Sequence, residues 1–308
     1  VKILVTGGAG RLGRSVVSVL GDAGHHVVSV DRLDHPDPAV PNLRLDLLDE
    51  AAVEAAFAEQ RPDAVVHLAA IAVPFSAPEL QILTTNTRLA QVVVSAAVRA
   101  GATKVLAAGS PTVLGYGAPQ GWVPQYLPVD EDHPTAPWNA YALSKQVVEG
   151  VVGVHARTTP GTVLGSFRPC FVVAPEEWDG APTQQGHTVA DRLRDPGLAA
   201  VSLFNYVDAR DAGEFVLRWV EVADARVSGE CFFVGAADAL AVEPTAQAIT
   251  ATLPAAAAPA QNLERHQAAF SCAKAERLLG WRPRRTWRTE LRGAPDLTAV
   301  AQTAQVAG

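Results

Sequence analysis

The 308-residue chain predicts an α/β fold built on a doubly wound parallel sheet, and three observations carry that prediction. Short apolar runs rich in β-branched residues alternate with segments of helical spacing up to about residue 165, the pattern of repeated βαβ units. The first run, Lys2-Ile3-Leu4-Val5, passes straight into a glycine-rich turn and then a helix. Further strand patterns follow at 162–167, 201–207 and 230–234, which extends the chain into a smaller C-terminal α/β region.

Thr6-Gly7-Gly8-Ala9-Gly10-Arg11-Leu12-Gly13 follows the first strand, and residues 15–20 then repeat apolar side chains at helical spacing. Glycines let the backbone turn tightly and approach a pyrophosphate, while a helix start offers free N–H groups and a positive dipole end. Strand, turn and helix together form a dinucleotide-binding fingerprint, with Gly7, Gly10, Arg11, Leu12 and Gly13 facing the cofactor. The sheet is therefore expected to be of the Rossmann type. A second strand, 26–30, ends at Asp31, whose carboxylate can accept hydrogen bonds from the adenine-ribose hydroxyls and repel a 2′-phosphate. That selects NAD over NADP, although Arg32 beside it offers a seat for the extra phosphate. The third strand, 43–45, closes on Asp46-Leu47, where Asp46 either contacts the adenine amino group or caps the helix starting near Glu50.

Tyr141-Ala142-Leu143-Ser144-Lys145 places a phenol and an ammonium four positions apart in a helical stretch. Side chains at i and i+4 share a face, so the two groups share a site. A Tyr hydroxyl of pKa near 10 is a poor acid-base group at neutral pH. A neighbouring cation stabilises its phenolate, so Lys145 is expected to bring Tyr141 toward working range for proton transfer with a carbinol. Four Tyr and four Lys in this chain would produce the spacing about 0.05 times by chance, so its position after a dinucleotide fingerprint gives it weight.

In these residues the chain resembles the extended short-chain dehydrogenase/reductase family, the NAD-dependent epimerases and dehydratases. Thr6-Gly7 with Gly10 and Gly13 is similar to that family's TGxxGxxG, and Tyr141 with Lys145 to its YxxxK. Ala64-Val65-Val66-His67-Leu68-Ala69-Ala70 resembles the fourth strand, which implies that Leu68, Ala69 and Ala70 pass beside the cofactor. Asn86 resembles the Asn that opens a long helix near the cofactor, and Lys104 to Gly109 the fifth strand. The resemblance puts Ser110 at the third catalytic position, donating to the reacting oxygen, and gives Lys145 the nicotinamide ribose to hold. Tyr206-Val207-Asp208-Ala209-Arg210-Asp211 resembles a substrate-side turn, and the run from Ala273 to Pro283 the closing helix and Gly-Trp-x-Pro turn. The implied division is an NAD-binding domain over 1–165 and a mainly substrate-binding region over 166–308, with about 201–224 returning to the Rossmann sheet.

Two long loops are expected to shape the substrate pocket. Residues 110–139 are rich in Gly, Pro and aromatics (Tyr116, Trp122, Tyr126, Trp138) and join Ser110 to the Tyr141 helix. Pro111, Thr112 and Trp138 are candidates for substrate contact. Residues 176–197 form a polar Pro/Gly-rich stretch that reads as a lid or variable loop. Residues 252–261, Pro and Ala in low complexity, read as a surface linker, and the last dozen residues as a frayed end.

Composition narrows the class. No apolar run is long enough to span a bilayer, and no charged-then-apolar leader is expected before a strand at residue 1 or 2. Three widely spaced cysteines without a CxxC pair read as free thiols in a reducing cytoplasm, and no metal is expected. A net charge of −7 argues against nucleic acid. Arg282, Arg284, Arg285 and Arg288 read as a solvated face rather than a phosphate site.

The substrate is the open question. Nucleotide-sugar members of the resembled family carry Arg-x-x-Asn after the sixth strand, and in Arg168-Pro169-Cys170-Phe171 the Asn position holds Phe171. Ile71-Ala72-Val73, Gln81-Ile82-Leu83 and Ser110 to Tyr116 are locally similar to uronate dehydrogenases, in which case Arg168 would bind a carboxylate; equally, Arg168 is a structural residue at a strand end. An epimerase acting on a sugar or nucleotide-sugar is the leading expectation, with net oxidation of a free sugar or uronic acid as the alternative. A non-catalytic NAD sensor has no use for Ser110, Tyr141 and Lys145 together. Dehydration lacks the acid expected beside Thr112. A homodimer is implied through the two long helices, about 79–100 and 140–157, the second carrying Val147, Val148, Val151 and Val152 as a stripe.

Overall fold

The computed structural model describes residues 1–292, so the expected frayed end lies outside the described residues. The N-terminal half alternates strand and helix: β1 (Lys2–Thr6), α1 (Arg11–Asp22), β2 (His26–Asp31), β3 (Asn42–Arg44), α2 (Glu50–Gln60), β4 (Ala64–His67), α3 (Glu79–Arg99), β5 (Lys104–Ala108) and α4 (Ala140–Thr158). Then come β6 (Val163–Pro169), β7 (Val172–Val173), three short helices α5 (Pro175–Trp178), α6 (Val189–Arg194) and α7 (Gly197–Ala200), β8 (Val207–Asp208), α8 (Ala209–Val222) and β9 (Cys231–Val234). The chain closes with α9 (Thr245–Thr252), α10 (Ala257–Ala260), α11 (Ala273–Leu279) and α12 (Trp287–Glu290).

Seven strands form one parallel sheet in the order β3-β2-β1-β4-β5-β6-β9. The direction of winding reverses between β1 and β4, and the crevice at such a reversal, beyond the strand C-termini, is where this architecture binds ligands. Both faces are covered, so the strands are apolar throughout rather than alternating with polar residues. Ile3 and Val5 of β1 enter the core with α1 and α8 (Val16, Leu20, Phe215, Trp219), whereas Leu4 enters the opposite layer with α2, α3 and α4 (Phe57, Val93, Val148). A third, smaller cluster joins Val173, Trp178, Leu193, Tyr206 and Trp287.

Three expectations change, those for 201–207, 252–261 and Asn86. The strand pattern at 201–207 is mostly a turn, with Leu203 and Phe204 at φ 52° and 59°, and only Val207–Asp208 pair, with β7 in a separate two-stranded sheet. Those apolar side chains are buried, which is what their composition reported. Residues 252–261 are no linker: a 3₁₀ turn and α10 pack Ala256 and Ala260 into the main core. Asn86 sits in the middle of α3 rather than at its start. The division at residue 165 falls inside β6, and the sheet is completed only by β9. Arg282, Arg284, Arg285 and Arg288 each pair with a carboxylate, on Glu276, Glu214, Asp211 and Asp238 respectively.

Candidate functional site

A cavity of about 890 Å³ opens at the C-terminal ends of the central strands. One end is built by the turn after β1. Gly7 adopts φ +74°, and a Cβ there would meet Ala69 N at 2.7 Å; a Cβ on Gly13 would lie 2.0 Å from Gly7 O. Only glycine allows β1, the β4 end and α1 to close this tightly. Gly10 caps α1 without a side-chain hydrogen bond, and the first turn of α1 holds no acid. Its amide groups are thus left for an anion, and Gly10, Arg11, Leu12 and Gly13 all line the cavity. Asp31, Asp46, Leu47, Leu68, Ala69 and Ala70 line the same end. Asp31 Oδ1 accepts from Arg32 N at 2.7 Å, which fixes the carboxylate at the strand end. Asp46 does not cap α2: that role belongs to Asp49, whose side chain accepts from Ala52 N at 3.1 Å. This cradle fits NAD, with amides for the pyrophosphate and a carboxylate for the ribose.

Two cofactor expectations need revision. Asn86 does not line the cavity. Its Oδ1 accepts from Ile71 N at 2.8 Å, and its Nδ2 donates to Ile71 O at 3.1 Å and Ser144 Oγ at 3.1 Å. Asn86 therefore ties the loop after β4 to α4 and stands one residue removed from the cavity. The Arg11 guanidinium is held by Glu177 and by Val172 O, so what this residue offers the cavity is backbone.

The opposite wall carries Ser110, Tyr141 and Lys145. Asn139 caps α4 by accepting from Ala142 N at 2.9 Å, so Tyr141 falls in the first turn and Lys145 one turn on. Ser110 ends the segment after β5; its Oγ accepts from Thr112 Oγ1 at 2.9 Å and Thr112 N at 3.3 Å. With both acceptor positions used, the Ser110 proton is free to donate. Ser110, Pro111, Thr112, Tyr141 and Lys145 all line the cavity. Burial pushes the Tyr141 phenol up to about 12, against a lowering by the Ser110 hydroxyl. Burial brings Lys145 down to about 8, with Glu149 opposing. Lys145 Nζ donates to Ala108 O at 2.8 Å and stands 5.9 Å from the Tyr141 ring centroid, so its ammonium and the Ser110 hydroxyl both sit on the side of the phenolate, against burial.

On the substrate side, Trp138 lines the cavity, its indole donating to Tyr116 O at 3.0 Å and its ring 5.7 Å from Phe75. Trp122 and Tyr126 stand behind this wall, packed around His133. Arg168 is absent from the cavity lining. Its guanidinium makes a two-pronged pair with Glu149 (Nε–Oε1 and Nη2–Oε2, both 2.8 Å) and lies 5.2 Å from the Phe233 ring centroid. Of the two roles open to Arg168, the structural one is the one observed. Phe171 does line the cavity, its N–H held by Asn205 Oδ1 at 3.0 Å. Sequence reasoning missed Asn205, Gln184, Gln185 and Arg192, which line this end as well. Only the marking of 176–197 as a substrate loop pointed toward the last three.

The glycine cradle and the Ser-Tyr-Lys wall meet in one cavity, and the match to known proteins runs in register with them. Residues 3–235 match the NAD dependent epimerase/dehydratase family. The chain belongs to that family. Among its relatives, UDP-glucose 4-epimerase of Azospirillum brasilense is 36% identical over 155 residues, 48% of this chain and 42% of that protein. The Bacillus subtilis UDP-glucose 4-epimerase is 31% identical over 169 residues, 49% and 46% of the two chains. The chain thus spans under half the length of either relative. Solved structures agree in fold: a short-chain dehydrogenase/reductase superfamily protein from Agrobacterium tumefaciens with bound NAD superposes with a TM-score of 0.70 at 23% identity, covering 100% of this chain and 98% of that one. A UDP-glucose 4-epimerase from Thermotoga maritima with UDP-glucose gives 0.70 at 21%, with both chains fully covered.

Proposed function

We propose that this family member is an NAD-dependent epimerase acting on a sugar or nucleotide-sugar carbinol. The observation that carries the reading is the meeting of Ser110, Tyr141 and Lys145 with the glycine cradle and Asp31 in one cavity. NAD, held by the glycine cradle and Asp31, would supply a reversible hydride acceptor. Ser110 donates a hydrogen bond to the reacting oxygen and orients it. Tyr141 takes the hydroxyl proton as the carbinol becomes a carbonyl and gives it back when the opposite face is reduced, so no net oxidation occurs. Lys145, its ammonium anchored on Ala108 O, would hold the nicotinamide ribose. Residues 1–165 then serve mainly the cofactor and 166–308 the substrate, with α8 returning to pack beside α1.

The test is Tyr141→Phe in the NAD-bound protein with UDP-glucose, UDP-galactose and a panel of aldoses and uronic acids. Turnover should fall at least a hundredfold while NAD affinity stays, since general acid-base catalysis contributes roughly 10²–10⁴ in rate. Full activity in this variant overturns the scheme. Phe171 at the position of a substrate-contacting Asn favours a second reading, net oxidation of a free sugar or uronic acid. Accumulating reduced cofactor separates it from epimerisation, in which none builds up.

The helices α3 and α4, through which the family resemblance implies a dimer, expose Leu80, Leu143 and Val154. A homodimer in light scattering is the expected state. The three cysteines are unpaired, which fits a reducing cytoplasm.

A further inference from the structure

Among the described residues Arg192 is the one buried guanidinium in the substrate half of the cavity, and its partners are unlike those of the buried Arg168. It is 1% exposed, on the short helix α6, and it lines the cavity. Nη1 donates to Gln185 Oε1 at 2.8 Å and Nη2 to Leu198 O at 2.7 Å, both neutral acceptors, and Nε has no acceptor among the described residues. A guanidinium has five N–H donors, so most of this one's capacity is unspent. Among the described residues no carboxylate lies within ion-pair distance of it, whereas Arg168 holds Glu149. Burial pulls the Arg192 guanidinium down to about 10.

Its surroundings fix its plane. The guanidinium carbon sits 4.0 Å from the Phe171 ring centroid, so the aromatic residue that replaces the expected Asn serves as a stacking platform. Gln184, Gln185, Ser202 and Asn205 complete this end of the cavity with neutral hydrogen-bonding groups. The acids of the lining, Asp31 and Asp46, belong to the cofactor end. A buried cation without a counter-charge is unfavourable, and an anion delivered by a ligand relieves it. Gln185 is exposed, and its amide oxygen fills a donor that an oxyanion would fill with a bond about twice as strong.

We infer that Arg192 is the docking group for an oxyanion carried by the substrate, held in the plane set by Phe171. The inference rests on the cavity being the substrate site proposed above, and it deepens that reading by naming the substrate class as anionic. The oxyanion has two possible sources, the carboxylate of a sugar acid or the phosphate of a nucleotide-sugar. The single guanidinium matches one planar carboxylate more closely than a diphosphate, which would bring a second charge.

Isothermal titration calorimetry of the full chain with NAD present tests this without requiring turnover. The ligands are galacturonate, its neutral counterpart galactose, and UDP-galactose, each with wild type, Arg192→Lys and Arg192→Gln. Loss of hydrogen bonds to a charged group should weaken the anionic ligand roughly 30-fold in Arg192→Gln. Arg192→Lys, which keeps charge but not the fork, should recover only part of the loss, and galactose should be unaffected. A loss confined to galacturonate supports the inference with a carboxylate as the source, and a loss confined to UDP-galactose supports it with a phosphate. Equal affinities across the three proteins, or no anion binding by wild type, overturn it. NAD affinity and thermal unfolding of the variants report folding independently. An anion bound through Arg192 by a protein that transfers no hydride would keep this inference and sink the proposed reaction.

Discussion

The glycine turn can be tested at one atom. In Gly13→Ala the new Cβ would sit 2.0 Å from Gly7 O and 2.8 Å from Gly8 C and Cα, all of them backbone atoms. No side chain can swing away, so the turn must open by about 1 Å, an overpacking strain of about 1–3 kcal/mol. Because the same backbone faces the cofactor pyrophosphate, the strain is expected in binding as well as in folding. The Kd for NAD, followed by quenching of Trp fluorescence, should rise roughly tenfold or more, and the melting temperature should fall. Gly21→Ala is the internal control: it lies in the same helix, and a Cβ there meets nothing within 4 Å. Gly21→Ala should instead be stabilising, by about 0.5–1 kcal/mol, with NAD binding untouched. If Gly13→Ala bound NAD as tightly as wild type and melted at the same temperature, the reasoning from close approach would be wrong.

Three more outcomes follow from buried charge. Glu149→Ala should destabilise by about 3–5 kcal/mol in denaturant titration, because it leaves the Arg168 guanidinium buried without its partner. His67 is held near 3 by burial first and by Lys145 second. Its folded form refuses a proton that the unfolded chain accepts below 6.5, so stability falls as pH drops from 6.5 toward 3, at roughly 1.4 kcal/mol per unit. Unfolding of wild type and His67→Asn at pH 6.5 and 4.5 checks this, the variant losing less. Tyr141, pushed up to about 12, must lose its proton to accept one from the carbinol. The oxidation rate should therefore climb with pH across the alkaline range, and Ser110→Ala should shift the profile further up; a plateau near neutrality would contradict this.

What was readable in the sequence was local. The Gly7–Gly13 turn and the Tyr141–Lys145 pair each lie within one strand-turn-helix or one helical turn, so spacing alone brings their atoms together. Arg168 and Arg192 mark the boundary of that kind of reasoning. Both are arginines near a strand or loop thought to face substrate, and what separates them is Glu149, which reaches Arg168 from α4. Asn86 was read by analogy as a cofactor residue, yet its amide is committed to Ile71 and Ser144, elements that fold beside it from elsewhere in the chain. At 203–204 the apolar composition is that of a strand, but positive φ at both residues breaks the extension while leaving the side chains inside. Alanine-rich 252–261 misled for the converse reason: small side chains look featureless in sequence, and they pack closely against a core.

The last strand of the sheet has a consequence for synthesis. β9 pairs with β6 but is encoded roughly 60 residues later, after the loops that carry the substrate side. At ~5–20 residues per second, a ribosome leaves that seam open for about 3–12 s. During that interval β6 presents a row of unpaired backbone groups, the kind of edge on which nascent chains stick to one another. Slowing translation does not help such a chain, because it lengthens the exposure; a chaperone that shields β6 until residue 234 has emerged does.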